Sequence, residues 1–155
     1  MRELTREERQ ILEDHKKWLK GEGGERADFS GADLSNANLR GVDLSGVNLV
    51  EANLVKANLY RANLQRADMR HANLDEAYLS ETNLYRANLQ RADMRHANLV
   101  EANLVEADLR HVDLFDANLF NADLRCADLS DTDFRCVDLS EADLSDANLF
   151  NADLR

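Results

Sequence analysis

Ala27-Asp28-Phe29-Ser30-Gly31 opens a five-residue unit, Ala-(Asp/Asn)-Leu-X-X, that holds its register to Leu154-Arg155. Of the 26 third positions between Phe29 and Leu154, 22 are Leu, with Met69, Met94, Phe29 and Phe134 the others. The first position is Ala except at Val42, Val47, Val112, Val137, Thr82 and Thr132. The second is Asp or Asn everywhere but Tyr78.

A period of five decides between regular structures. On an α-helix each step of five turns the Leu by about 140°, which scatters the leucines and leaves no apolar face. On a flat strand an odd step sends successive leucines to opposite faces. Short extended pieces joined by corners resolve the conflict. First and third residues point inward, the second and fourth outward, and the fifth turns the chain. Such pieces wind into a coil whose turns stack at roughly 4.8 Å, with a narrow interior filled by alternating small and large side chains.

This unbroken pattern resembles the pentapeptide repeat family over Ala27 to Arg155. The resemblance implies an all-β solenoid, a right-handed quadrilateral β-helix with four units per coil. The repeat would make about six and a half coils. The domains expected are 1–26, an N-terminal α-helical cap with a Gly-rich link, and 27–155, the β-helix.

Thr5-Arg6-Glu7-Glu8 reads as a capping box that starts a helix. Ile11, Leu12, His15, Trp18 and Leu19 recur at helical spacing, and Gly21, Gly23 and Gly24 supply the stop. That apolar stripe is expected to cover the first coil. The segment balances seven basic against seven acidic residues, which disfavours membrane attraction. Neither a signal peptide nor a membrane span is legible, so a cytoplasmic location is the default. Cys126 and Cys136 lie ten residues apart, on opposite faces of a four-sided coil. Free thiols are expected there.

The net charge of −11 is unevenly spread. Residues 28–55 carry −3, residues 56–111 balance, and residues 112–155 carry −8. Stacking by 20 places Arg70 over Gln90 and Arg110, and His71 over Arg91 and His111, a candidate basic stripe for an anionic group. The acidic coils comprise Asp113, Asp116, Asp123, Asp128, Asp131, Asp133, Asp138, Glu141, Asp143, Asp146 and Asp153. The segment Asn58–Leu74 recurs without a change at Asn83–Leu99, one coil along and one face round.

Catalytic and cofactor motifs are not found. His111, Asp131 and Ser130 come together in register, but a convex rod offers no water-excluding pocket. No Gly-rich phosphate loop, Cys/His cluster or aromatic platform for nucleic acid is present. No metal, cofactor or direct nucleic-acid contact is expected.

Apolar residues at nominally outward positions depart from the repeat. Val100, Val105, Phe115 and Phe120 are read as one contact patch near one level of the rod. The last coil ends on Leu139, Leu144, Leu149 and Leu154 with Phe150 at the rim. An end-to-end homodimer is one expectation there, and a longer natural chain is the other. Two functions follow. One is a non-enzymatic interaction scaffold for a protein partner. The other, implied by the resemblance, is an acidic DNA mimic that binds DNA gyrase and protects it from quinolones.

Overall fold

The computed structural model describes every residue from Met1 to Arg155. Each second-position residue forms a parallel bridge to the residue 20 further on, from Asp28–Asn48 to Asp133–Asp153. Four units therefore close one turn of a β-helix. First and third side chains fill its axis: the core runs from Ala27 and Phe29 to Leu129 and Phe134, almost wholly buried. Burying one such Leu contributes about 1.5–3 kcal/mol. Thr82 and Thr132 take the Ala position and satisfy their buried hydroxyls on the carbonyls of Leu59 and Leu109, at 2.7 and 2.8 Å.

The corner is built by two residues, not by the fifth alone. The N–H of each new unit donates to the third carbonyl of the unit before, as Ala32 does to Phe29 at 3.0 Å. The fifth residue inside that turn has positive φ, 59° at Glu51 and 58° at Glu101. A turn with φ above zero only at its third residue is type II. Most of these residues are not glycine, and none is β-branched. A branched Cβ in the left-handed region clashes with the backbone, which explains the exclusion.

Backbone pairing between coils uses three donors per unit. Asn48 N–H reaches Ala27 O at 3.2 Å, Leu49 N–H reaches Asp68 O at 2.7 Å, and Glu51 N–H reaches Arg70 O at 2.9 Å. The fourth N–H has no backbone acceptor in any unit. The Asp/Asn side chain supplies one: Oδ1 of Asp28 accepts from Ser30 N–H at 2.9 Å, and Oδ1 of Asn98 accepts from Val100 N–H at 3.2 Å. The second side chain is thus folded back on its own corner instead of projecting freely. An Asx turn recovers a donor that would otherwise go unpaired. At several places where Asn stacks on Asp or Asn, its amide also donates to the coil before, as in the series Asn103, Asn83, Asn63 and Asp43.

Helix α1, Arg6–Lys20, precedes the coils. Thr5 Oγ1 accepts from Glu8 N–H while the Glu8 carboxylate accepts from Thr5 N–H, the capping box read in the sequence. Gly21, at φ 69°, ends it in the left-handed conformation. At Gly24 a Cβ would lie 2.2 Å from the Asp14 carbonyl oxygen, so only glycine lets the link double back. Leu4, Ile11 and Leu12 pack against the core, and His15 is fully buried. Trp18 and Leu19 remain exposed, contrary to the stripe expected, and flank a hollow with Ser45, Gly46, Gln65 and Arg66 on the coil wall. One edge contact was not legible. Arg2 bridges Ala37, and its guanidinium binds the Glu8 carboxylate at 2.7 Å and the Asp33 carbonyl at 2.9 Å.

Candidate functional site

Once the fold has used its Asp and Asn side chains, the surface looks different from the sequence reading. Arg70, Arg95, Arg110, Arg125, Arg135 and Arg155 each follow an Asp by two residues and form an ion pair with it, at 2.5–2.8 Å. Three of them also lean toward the Asp of the next coil: Arg95 to Asp113, Arg110 to Asp128 and Arg125 to Asp143, at 3.8–3.9 Å. Aspartates stacked one above another repel, and these arginines relieve that repulsion. The residues of the basic stripe differ in this respect. Arg70 and Arg110 are bound to Asp68 and Asp108, while His71 and Arg91 form no ion pair and His111 lies 3.8 Å from Asp131.

The acidic coils divide in the same way. Asp113, Asp123, Asp128, Asp133, Asp138, Asp143 and Asp153 each hold an Asx turn. The Arg155 guanidinium and backbone N–H hold the Asp153 carboxyl down at about 2. Asp116, Glu141 and Asp146 occupy exposed corners with no ion pair, and Asp131 has His111 and Asn151 beside it. The Ser130 hydroxyl donates to Asp128 at 2.8 Å, so the Ser–His–Asp grouping does not assemble. Cys126 and Cys136 are free and exposed.

The four residues of the apolar patch are spread over three faces. Val100 and Phe120 share one face, with Val105 on the neighbouring side and Phe115 on the other, so Val105 and Phe115 lie on opposite faces. All four are half-buried by the coils stacked on them. Leu139, Leu144 and Leu149 pack partly on the core, whereas Phe150 is 75% exposed and Leu154 is also open.

A more continuous site centres on Tyr78, the one second-position residue that is neither Asp nor Asn. It cannot accept from Ser80 N–H, and Ser80 turns its hydroxyl to Asn98 Oδ1 at 2.9 Å instead. The Tyr78 ring stands 46% exposed. Beside it lies an open cavity of about 370 Å³ lined by Glu76, Ala77, Tyr78, His96 and Asn98. Asp75 Oδ1 lies 2.8 Å from His96 Nδ1, and the Phe115 ring meets the imidazole edge-on at 6.0 Å. Tyr78, His96 and Phe115 therefore run continuously around one corner. The hydrogen bond to Asp75 raises the His96 pKa above its ordinary value. Sequence reading missed His96, although Tyr78 was visible as an anomaly.

The duplicated segments build a clamp twice. Glu81 accepts from Tyr60 Oη and Arg61 Nε, both at 2.7 Å; Glu106 accepts from Tyr85 Oη and Arg86 Nε at 3.1 and 2.7 Å. Each ties two coils together, a structural role for these two tyrosines.

A family model described as "Pentapeptide repeats", in 8 copies, matches residues 27–66, 62–99, 77–114 and 113–155. The chain belongs to the pentapeptide repeat family. Among solved pentapeptide repeat structures it is similar to HetL, described as involved in heterocyst differentiation regulation in the cyanobacterium Nostoc sp. strain PCC 7120. The identity is 35% over 84% of this chain and 65% of HetL, with a TM-score of 0.44. The chain thus spans 65% of HetL's length. A second Nostoc pentapeptide repeat protein, alr5209, is 30% identical over 90% of this chain and 94% of its own, at a TM-score of 0.36. QnrB1, a plasmid-mediated fluoroquinolone resistance protein, is 22% identical over 82% of this chain and 74% of its own, at a TM-score of 0.44. No curated protein sequence matches the chain. No helix is long and apolar enough to cross a membrane.

Proposed function

We propose that this pentapeptide repeat protein is a non-enzymatic scaffold that docks a protein partner on the corner formed by Tyr78, His96 and Phe115, with Val100 and Phe120 on the adjoining face. One observation carries the reading. At Tyr78 alone the repeat gives up its Asx turn, and an exposed aromatic ring stands in its place. Exposed aromatics beside a cavity are the usual anchors of protein contacts. The test is Tyr78→Asn, which restores the repeat and removes the anchor.

In this reading residues 1–26 form a capping segment and residues 27–155 a rigid right-handed rod of about six and a half coils. The protein works in the cytoplasm without a cofactor.

A second reading, in which the acidic coils imitate DNA before DNA gyrase, is favoured by the corner carboxylates Asp116, Asp131, Glu141 and Asp146. The arginines bound to Asp123, Asp133 and Asp153 weaken it, since they reduce the field that such mimicry needs. Supercoiling by gyrase with and without a quinolone, at two salt concentrations, separates the two. Salt-sensitive inhibition supports mimicry.

A further inference from the structure

His15 is the one ionisable side chain sealed inside the molecule. It sits on α1 against the first coil, and its exposure is 0%. Its Nδ1 accepts the backbone N–H of Ala27, the first residue of the repeat, at 3.1 Å. Its ring stacks on Trp18, with centroids 5.4 Å apart and planes 14° from parallel. An imidazole that accepts at Nδ1 must carry its proton on Nε2. That atom is buried and has no hydrogen-bond partner, although the Ser45 carbonyl is close enough to act on it. The charged groups acting on the ring are opposed in sign: Asp43 from the coil wall and Arg26 from the link. Asp43 is itself occupied by Ser45 and Asn63.

We propose that His15 makes α1 an acid-releasable cap. Protonation turns Nδ1 from an acceptor into a donor facing the Ala27 N–H donor, and it places a cation in a site without a committed carboxylate. The junction between helix and repeat then carries two opposed donors, and α1 leaves the first coil. Release uncovers the first coil beside Phe29 and Val42 and the open edge of the rod, a surface on which an extended segment can pair. Burial already holds the neutral imidazole in place by lowering its pKa. Docking is therefore at full strength above about 6.5 and is lost as pH falls through the lowered value.

Amide hydrogen exchange on the 155-residue chain, between pH 8 and 4.5, tests this. The comparison is His15→Asn, whose side-chain Oδ1 takes the place of Nδ1 as the acceptor for Ala27 N–H and does not titrate, with the Glu8 and Asp43 contributions unchanged. Exchange in residues 6–20, relative to the variant, is expected to rise about tenfold or more toward pH 4.5. Exchange in residues 47–129 stays equal in the two proteins. Parallel α1 exchange in both, or simultaneous loosening of α1 and the coils, overturns the proposal. Should the variant be undocked at pH 8, the wild type decides alone. The His15 titration followed by NMR and acrylamide access to Trp18, the only Trp in the chain, must share a midpoint, and separate midpoints overturn it.

Discussion

Asp123 accepts three times from Arg125: from its backbone N–H at 3.2 Å, from Nε at 2.8 Å and from an Nη at 2.7 Å. The same two residues thus close a corner of the backbone and cancel a charge. Its counterparts at Asp133 and Asp153 behave alike, so three of the eleven carboxylates in residues 112–155 are neutralised and the net −8 rests on the other eight.

Acid should unfold the coils late. Asp68, Asp123, Asp133 and Asp153 all have pKa values lowered first by hydrogen bonds from the Arg two residues on. A carboxylate with a lowered native value contributes stability above its unfolded value, near 3.9, and loses it as pH falls through the native one. For Asp153 that window runs from about 4 to about 2. Circular dichroism of the coil should hold to about pH 4 and fade below it. Loss of the coil signal at pH 5 would contradict this account.

The left-handed corners predict a stereochemical cost. Glu101 has φ 58° and no ion pair. Glu101→Val should lower stability by about 1–2 kcal/mol, the strain of placing a branched residue there. Glu101→Asn should be close to neutral. Chemical denaturation of the two variants checks the difference, which vanishes if the corner relaxes.

His96 should titrate above its ordinary value, because Asp75 binds its Nδ1. A group whose native value is raised stabilises fully below its unfolded value, about 6.5, and loses that contribution as pH rises through the native one. NMR of the His96 ring should show the raised midpoint in the wild type. Asp75→Asn should return it toward 6.5, and an unchanged midpoint would remove Asp75 as the cause.

For the 155-residue chain, the exposed face of Phe150 and Leu154 predicts self-association. Sedimentation should show a mass that grows with concentration, and Phe150→Arg should hold the chain as a monomer. A monomeric wild type at high micromolar concentration would count against the contact.

Short extended pieces joined by corners were legible in the period of five, the four units per coil came from the family resemblance, and the helix start was legible in Thr5 and Glu8. The pairing of the arginines has a local reason. Register placed Arg70 and Arg110 in one column, and the Asp two residues before each, Asp68 or Asp108, binds its guanidinium. The pairing was present in the sequence as Asp-X-Arg. The left-handed corners also left a signal, the missing Val, Ile and Thr at every fifth position. Burial of His15 followed from its place in the helical stripe, but its bond to the Ala27 N–H had no signal, since its spacing on α1 matches that of Trp18, which stays exposed.

Tyr78→Asn tests the central claim most directly, because a change toward the repeat must act in opposite directions on fold and function. Restoring an acceptor for Ser80 N–H should raise stability by about 1 kcal/mol, or roughly 2–4 °C in Tm. Capture of partner proteins from the native cell extract, quantified for wild type and variant, should fall at least tenfold. A more stable rod with an undiminished partner profile would contradict the account and move the docking surface away from Tyr78.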